Sequence, residues 1–222
     1  MPNGGLPDKP WQATLSMILG YGRSDQKGLK RFGRQNPQNR ANFKEQLEGM
    51  IEHLYHFPCI AVWVPFNESW GQFNAHEIAN LVKELDPTRL VDHASGWFDQ
   101  GGGDFLSKHV YVKKLRATQK NNDRAFVLSE FGGYSLQIPD HLWDPDNRFG
   151  YKFFDSKEEL TQAYLDLLEE QLIPLISEGL AAAIYTQITD IETEVNGYLT
   201  YDRKVEKMDV EGIKKIHRKL KL

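Results

Sequence analysis

Several features that would define a function class at once are scarce in this chain. Among 222 residues Cys59 is the only cysteine, so no disulfide can form within the chain. Cys59 begins an apolar run, which predicts a small buried side chain. No stretch approaches the roughly 18 apolar residues of a membrane span. The N-terminal residues MPNGGLPDKP lack the charged and apolar regions of a signal peptide. We expect no membrane partner, and the sequence does not indicate a compartment.

The chain also lacks a strong excess of charge of one sign, and it lacks the common motifs that bind phosphate or metal. The formal net charge is −4, and basic residues are spread out apart from the C-terminal KKIHRKLKL, so no nucleic-acid partner is expected. Neither G-x-G-x-x-G nor G-x-x-x-x-G-K-[ST] is present, which disfavours a dinucleotide or nucleotide site. His53 and His56 are three residues apart on a predicted helix, without an H-E-x-x-H motif, which favours surface or packing histidines over a metal site.

The composition is that of one globular domain, with 40% hydrophobic and 26% charged residues. Residues 1–41 are rich in Gly, Pro, Asn, Gln and Arg, which predicts a loop-rich N-terminal segment. From Asn42, a candidate N-cap, apolar residues recur at helical spacing. We therefore expect the folded domain to span residues 42–222.

Apolar runs and amphipathic segments alternate along this domain. Runs without polar alternation are typical of strands covered on both faces, and their alternation with helices predicts parallel βα units. The strand candidates are CIAVWVPFNE, LVDHASG, GGGDFLSKHVY, AFVLSEFGG and LAAAIYTQITD. The helix candidates that follow some of them are NAHEIANLVKELDPTR, residues 157–178 and VEGIKKIHRKLKL, and the second of these is predicted to begin near Ser156, with acidic residues in its first turn.

Residues capable of acid–base chemistry stand where these strands end, namely Glu68, His93, His109, Glu130 and Asp190. A barrel of parallel strands builds its active site at that end, although an open doubly wound sheet uses the same end. The pattern favours an α/β fold of the (β/α)8 TIM-barrel type. Two carboxylates facing one pocket are what glycoside hydrolysis requires: an acid that protonates the leaving oxygen and a carboxylate that attacks or activates water.

Four segments resemble the catalytic TIM barrel of glycoside hydrolase family two, which contains β-galactosidases, β-glucuronidases and β-mannosidases. They are WVPFNESWGQF, DPTRLVDHASGW, VLSEFGGY and AAAIYTQITDIETEVNGYLTYDR. The resemblance extends from about Asn42 to the end of the chain. It implies a partial barrel, comprising about strands four to eight with their helices.

The resemblance also implies roles for individual residues. Glu68 would be the general acid/base, Asn67 would bind the 2-hydroxyl of the sugar, and Glu130 would be the nucleophile. His109 and Tyr111 match the sixth strand of the family, where the tyrosine orients the nucleophile. A retaining mechanism by double displacement follows, with carboxyl groups about 5 to 5.5 Å apart. Carboxylate catalysis of this kind needs neither a cofactor nor a metal ion.

Further residues are candidates for binding the carbohydrate substrate. Trp70, Trp97 and Trp143 lie in loops or irregular segments, where an aromatic face stacks on a sugar ring or simply packs the loop. Gln187 and Asp190 follow the last strand and are predicted to line the pocket.

The resemblance makes the chain part of a longer enzyme. The first three barrel strands and the preceding β-sandwich domains of the family have no counterpart here. We expect the edges of CIAVWVPF and AAAIYTQI to be open, so that the chain self-associates through them or covers them with residues 1–40. The predicted activity is β-galactosidase-like, on terminal β-glycosides, although the sequence does not name the sugar. The alternative is a catalytically inactive fragment or carbohydrate-binding remnant.

Overall fold

The computed structural model describes residues 25, 29, 33–68, 71–117 and 123–220, and the structural statements that follow concern these residues. Two compact units are present. The first consists of residues 1–109 and 122–125, and the second of residues 110–121 and 126–222. Each is described by itself.

The first unit contains the parallel βα arrangement that the sequence predicts. Its elements are helix α1 (Pro37–Leu54), strand β1 (Val62–Trp63), helix α2 (Ala75–Leu85), strand β2 (Leu90–Val91) and most of strand β3 (Phe105–Val110). Strands β1 and β2 pair in parallel, with Val62 opposite Leu90. Helix α2 therefore forms the crossover that two parallel neighbours need.

Two local predictions in this unit are wrong. Helix α1 begins at Pro37 and not near Asn42, because the side chain of Asn36 accepts a hydrogen bond from the backbone of Gln38 and so caps the helix. Cys59 is exposed. The strand begins only at Val62, so Cys59 lies in the preceding turn and not in the apolar layer.

The core of the first unit contains residues of helices α1 and α2 and of strands β1 and β2. Phe43 stacks on Phe66, with ring centroids 4.9 Å apart, and meets Phe73 edge to face. These geometries are favoured between aromatic rings beyond the burial of apolar surface. The fully buried members of this core include Phe43, Leu47, Ile51, Trp63, Phe66, Phe73, Ile78, Val82 and Val91.

The second unit contains the remaining strands and helices. They are strand β4 (Ala125–Gly132, whose first residue belongs to the first unit), β5 (Tyr134–Ser135), β6 (Lys152–Phe153), helix α3 (Lys157–Leu167), a π-helical segment (Leu168–Leu172), helix α4 (Ile173–Ser177), β7 (Leu180–Thr186) and helix α5 (Val210–His217). Ser156 caps α3 through a hydrogen bond from the backbone of Glu159, as the sequence predicts.

Strands β4 and β7 pair in parallel, from Phe126 opposite Leu180 to Gly132 opposite Thr186. The helices cover this pair with an apolar core that includes Leu128, Phe131, Leu160, Tyr164, Leu168, Leu172 and Leu175. The carboxyl ends of the two strands thus bring Glu130 and Thr186 to the same end of the pair.

Open strand edges are present within each unit. In the part of the chain that the structure describes, β1 pairs only with β2, and β7 pairs only with β4. Ile184 on β7 is 60% exposed, and Ile188 just beyond it is 71% exposed. None of the described helices is long and apolar enough to cross a membrane.

Candidate active site

Asn67 and Glu68 lie just beyond the carboxyl end of β1, after a short irregular stretch. Asn67 forms a parallel bridge with Ser95, beyond the end of β2. The backbone N–H of Ser95 donates to the carbonyl of Phe66 at 2.9 Å, and the Ser95 hydroxyl lies 3.1 Å from Asn67 Oδ1. The β1–β2 ladder therefore continues to the base of the two residues that the family resemblance singles out.

The Glu68 carboxylate lies beside an imidazole. Nδ1 of His109, near the end of β3, is 3.4 Å from Glu68 Oε1, and the His109 side chain is fully buried. Glu68 has a left-handed backbone, with φ of 50°, which is uncommon for a residue with a long side chain. A Cβ at Gly96 would lie 3.0 Å from Glu68 Cα and 3.1 Å from His109 Nδ1, so only glycine allows this close approach.

Two further polar side chains are buried after β2. Burial raises the pKa of Asp92, and a hydrogen bond from Ser107 and the charge of nearby basic groups offset this rise in part. Nε2 of His93 accepts from the backbone N–H of Gln100 at 3.1 Å. His93 thus anchors the loop that follows β2, which gives this strand-end histidine a structural role.

Glu130 lies on β4 in the second unit, where the Tyr111 hydroxyl donates a hydrogen bond to its Oε2. The same hydroxyl is 3.5 Å from Thr186 Oγ1. The Tyr111 ring stacks on Tyr151, with centroids 3.8 Å apart. Burial and the neighbouring Glu130 carboxylate raise the pKa of Tyr111, so the phenol keeps its proton and remains a donor.

The two residues predicted to line the pocket after β7 are engaged within their own loop. Gln187 Nε2 donates to Asn196 Oδ1 at 2.7 Å. Asp190 is buried, and its Oδ1 accepts from the backbone N–H of Gly197 and from Lys207 Nζ, both at 2.7 Å. These contacts hold the loop after β7 together, and the roles of Gln187 and Asp190 in binding the sugar stay predictions.

The tryptophans predicted to stack on the sugar have fewer contacts that would indicate such a role. Trp97 is half-buried in the segment after β2. Trp143 is 62% exposed and meets Tyr201 edge to face. Trp70 lies outside the described residues.

Sequence reasoning missed four residues at or just beyond these strand ends: Asp92, Ser95, Gly96 and Thr186. Only the first three lie in a sequence pattern that could have indicated a site, because DHASG follows an apolar run in the same way that NESWG and EFGG do. Thr186 stands inside the last apolar run, where a threonine is ordinary. The predicted separation of Glu68 and Glu130, their roles and the absence of a metal ion stay predictions.

The model of the family "Glycosyl hydrolases family 2, TIM barrel domain" matches residues 14–198. Among curated proteins, none matches the sequence.

Several solved structures share the fold. A β-glucuronidase from Bifidobacterium dentium, complexed with coumarin-3-O-glucuronide, is 15% identical with a TM-score of 0.55 over 83% of this chain and 34% of its own. The FMN-binding β-glucuronidase from Faecalibacterium prausnitzii L2-6 is 17% identical with a TM-score of 0.54, over 85% of this chain and 33% of its own.

The chain thus spans about a third of the length of these structures, and their low identity shows the fold alone. The fold agrees with the family match, which covers more than half of the sequence. The expectation of a partial barrel is confirmed, since the parallel strands and their helices are those of a TIM barrel, and the chain belongs to glycosyl hydrolase family 2 as part of its TIM barrel domain.

Proposed function

We propose that this chain is the catalytic part of a retaining glycoside hydrolase that acts on terminal β-glycosides, with Glu68 as acid/base and Glu130 as nucleophile. The observation that carries this proposal is the Tyr111 hydroxyl, which donates to Glu130 at the carboxyl end of β4. A carboxylate that attacks carbon must be ionised and held in one orientation, and a protonated phenol beside it provides both.

The reaction has two displacements. Glu130 attacks the anomeric carbon while Glu68 gives its proton to the glycosidic oxygen, which leaves as an alcohol. Glu68, now a carboxylate, takes a proton from water, and the resulting hydroxide displaces Glu130 from the anomeric carbon. Two inversions restore the starting configuration, and both carboxyl groups return to their initial protonation states.

The neighbours of Glu68 support its part in this cycle. His109 lies within 3.4 Å of the carboxylate that must lose and regain a proton. The Glu68 side chain is 19% exposed, so it is accessible to a substrate while most of its surface is desolvated.

The substrate class is the finer part of the proposal. The sequence motifs favour a β-galactosidase-like enzyme, whereas the structures reported above are β-glucuronidases. Sugar specificity depends on a few pocket contacts, so the class must be measured. A panel of 4-nitrophenyl β-galactoside, β-glucuronide, β-glucoside and β-mannoside distinguishes these sugars.

The partners proposed for the chain are the strands that complete the barrel. The chain spans about a third of the length of its structural neighbours, and β1 and β7 have open edges within the described residues. Additional barrel strands and β-sandwich domains in the same polypeptide would pair with these edges. A second copy of the chain is the competing occupant, through self-association.

The experiment uses the complete protein that carries this chain. We expect hydrolysis of at least one glycoside of the panel, with kcat lowered at least 1000-fold by Glu130→Gln. Glu68→Gln should slow the hydrolysis of substrates with poor leaving groups most. Azide should restore the rate of this variant and yield a β-glycosyl azide, because a small anion attacks without help from a general base. Exposed Glu45→Gln and Glu178→Gln are matched controls that should retain the parental rate.

Two results would contradict the proposal. If neither Glu130→Gln nor Glu68→Gln changes the rate, the assignment of roles is wrong. If the complete protein binds sugars but cleaves none of them, the remnant hypothesis replaces the enzyme.

A further inference from the structure

Tyr151, whose ring stacks on that of Tyr111, lies between two backbone pairings. Before it, the backbone N–H of Phe149 donates to the carbonyl of Thr193 at 2.7 Å, and the Phe149 carbonyl accepts from the N–H of Val195 at 3.1 Å. After it, strand β6 pairs in parallel with β5. The Tyr151 backbone is therefore fixed by the loop after β7 on one side and by the segment that follows β4 on the other.

The ring of Tyr151 also has close neighbours. It lies nearly parallel to the Tyr111 ring, with 4° between the planes and 3.8 Å between the centroids, and Phe149 meets it edge to face at 5.4 Å. A Cβ at Gly133 would lie 2.5 Å from Tyr151 and 2.7 Å from Tyr111, so the Gly133 backbone lies against both rings. Packing this close leaves the two rings little room to move relative to each other.

The stacked pair reaches the proposed nucleophile through one further contact. The Tyr111 hydroxyl donates to Glu130 Oε2. A phenol hydroxyl lies in the plane of its ring, so a neighbour that fixes the plane and position of the ring also fixes the hydroxyl. The place of the Tyr111 hydroxyl therefore depends on the ring of Tyr151 as well as on Glu130.

We propose that Tyr151 is a positioning residue whose ring holds the Tyr111 ring and so keeps the Tyr111 hydroxyl on Glu130. The inference rests on the proposed function, in which Glu130 attacks the anomeric carbon. The aromatic face of Tyr151 acts on turnover, and its effect is transmitted through the Tyr111 hydroxyl. Through Tyr151, the segments after β4 and β7 both contribute to the orientation of the nucleophile.

Loss of the stacked ring is expected to slow the chemical step. A reacting group that is misplaced by about 1 Å loses up to about 100-fold in rate, because attack requires one geometry. Removal of the Tyr151 ring loosens Tyr111 but leaves its hydroxyl in the protein. The loss should therefore not exceed that caused by Tyr111→Phe.

The test is a double-mutant cycle in the complete protein, with kcat and KM measured on the best-cleaved 4-nitrophenyl glycoside. Tyr151→Leu should lower kcat about tenfold and leave KM within about twofold, whereas Tyr151→Phe keeps the aromatic face and should retain the parental kcat. In a Tyr111→Phe background, Tyr151→Leu should lower kcat by less than about twofold, because the hydroxyl that it positions is absent. Phe153→Leu, at a 41% exposed position on β6, is the matched control.

A crystal structure of Tyr151→Leu separates this inference from the proposed function. If the complete protein cleaves no glycoside, the proposed function fails, and the structure still shows whether Tyr151 holds Tyr111. We expect the Tyr111 hydroxyl to lie beyond hydrogen-bond distance of Glu130 or to occupy two positions. An unchanged Tyr111–Glu130 hydrogen bond would overturn the inference. An unchanged kcat in Tyr151→Leu, equal losses in Tyr151→Phe and Tyr151→Leu, or a loss that persists in full in the Tyr111→Phe background would also overturn it.

Discussion

The phenol hydroxyl of Tyr111 contacts the proposed nucleophile, Glu130. It donates to Glu130 Oε2, and its ring is held by stacking on Tyr151. This pairing of a rigid ring with a fixed donor orients the Glu130 carboxylate. A conservative substitution of Tyr111 can remove this hydrogen bond.

We expect Tyr111→Phe to lower kcat about 10- to 100-fold, the loss that corresponds to a hydrogen bond of about 1.5–3 kcal/mol to a charged group. KM should change little, because Tyr111 contacts the nucleophile. Steady-state kinetics on the panel substrate measures both. Tyr201→Phe removes a phenol hydroxyl elsewhere in the same unit and should have no effect. An unchanged kcat in Tyr111→Phe would remove Tyr111 from the proposed machinery.

Gly96 is the second position where a single atom decides the geometry. A Cβ there would crowd Glu68 and His109, and its φ of +107° is unfavourable for other residues. We expect Gly96→Ala to lower the free energy of unfolding by about 1–3 kcal/mol and to lower kcat/KM on every substrate.

Urea unfolding and steady-state kinetics together check this prediction. Gly49→Ala is the control, since nothing lies within 4 Å of a Cβ at this helical position. It should raise the free energy of unfolding by up to about 1 kcal/mol. Wild-type behaviour of Gly96→Ala would show that the close approach is not required.

At the scale of elements, Asp86 joins the end of helix α2 to strand β1. Its carboxylate accepts from the Trp63 indole at 2.8 Å and from Arg89 at 2.6 Å. Burial by itself raises the pKa of Asp86, but hydrogen bonds from Thr88, Trp63 and Arg89 outweigh it and lower the pKa well below the usual range. The ionised form is thus the one that the fold stabilises.

This shift sets a direction for the dependence of stability on pH. A carboxyl whose pKa is lowered by folding contributes fully above its unfolded pKa of about 3.9 and loses that contribution as the pH falls toward its folded pKa. We therefore expect the difference in unfolding free energy between the parent and Asp86→Asn to narrow from pH 6 to pH 3. Urea titrations at both pH values measure it, with the exposed Asp155→Asn as control. A constant difference would contradict the assigned pKa shift.

The strands and long helices could be predicted from the sequence because their signals are local. Five apolar runs contain the strands β1, β2, β3, β4 and β7, and Ser156 marks the start of α3 as its spacing indicates. The start of α1 was missed because Asn36 and Asn42 are equally good caps by composition. The two-residue strands β5 and β6 were missed, since pairs this short carry no periodic pattern.

Contacts between distant residues were only partly predictable. The bond between Tyr111 and Glu130 followed from the family resemblance. The pairing of Asp190 with Lys207 did not, because Lys207 has no sequence mark that distinguishes it from a surface lysine. Ser95 was missed although DHASG follows an apolar run, because its contact with Asn67 depends on the register of β1 against β2.

At the scale of the whole molecule, the apolar edge of β7 favours association. Ile184 is 60% exposed on a strand that pairs on one side within the described residues. We expect the 222-residue chain alone to self-associate and Ile184→Lys to shift it toward the monomer, because a charged side chain disfavours strand addition. Light scattering after size-exclusion chromatography measures this shift.

Val112→Lys is the matched control, since Val112 is 77% exposed outside any strand. It should leave the association state unchanged. A parent chain that is monomeric at micromolar concentration would contradict self-association.

The left-handed backbone of Glu68 sets the stability of the fold against catalytic activity at this position. This conformation costs a non-glycine residue about 1 kcal/mol. Asn tolerates it better, so Glu68→Asn should raise the melting temperature slightly while it abolishes hydrolysis. Glu192→Asn should raise the melting temperature by a similar amount and keep the activity, because Glu192 also has a left-handed backbone, with φ of 51°.

A protein selected only for folding would therefore drift at position 68 toward asparagine or glycine, and one selected for turnover would keep glutamate. Among homologues that retain the Tyr111–Glu130 pair, the residue at this position thus records whether each lineage has stayed under selection as an enzyme.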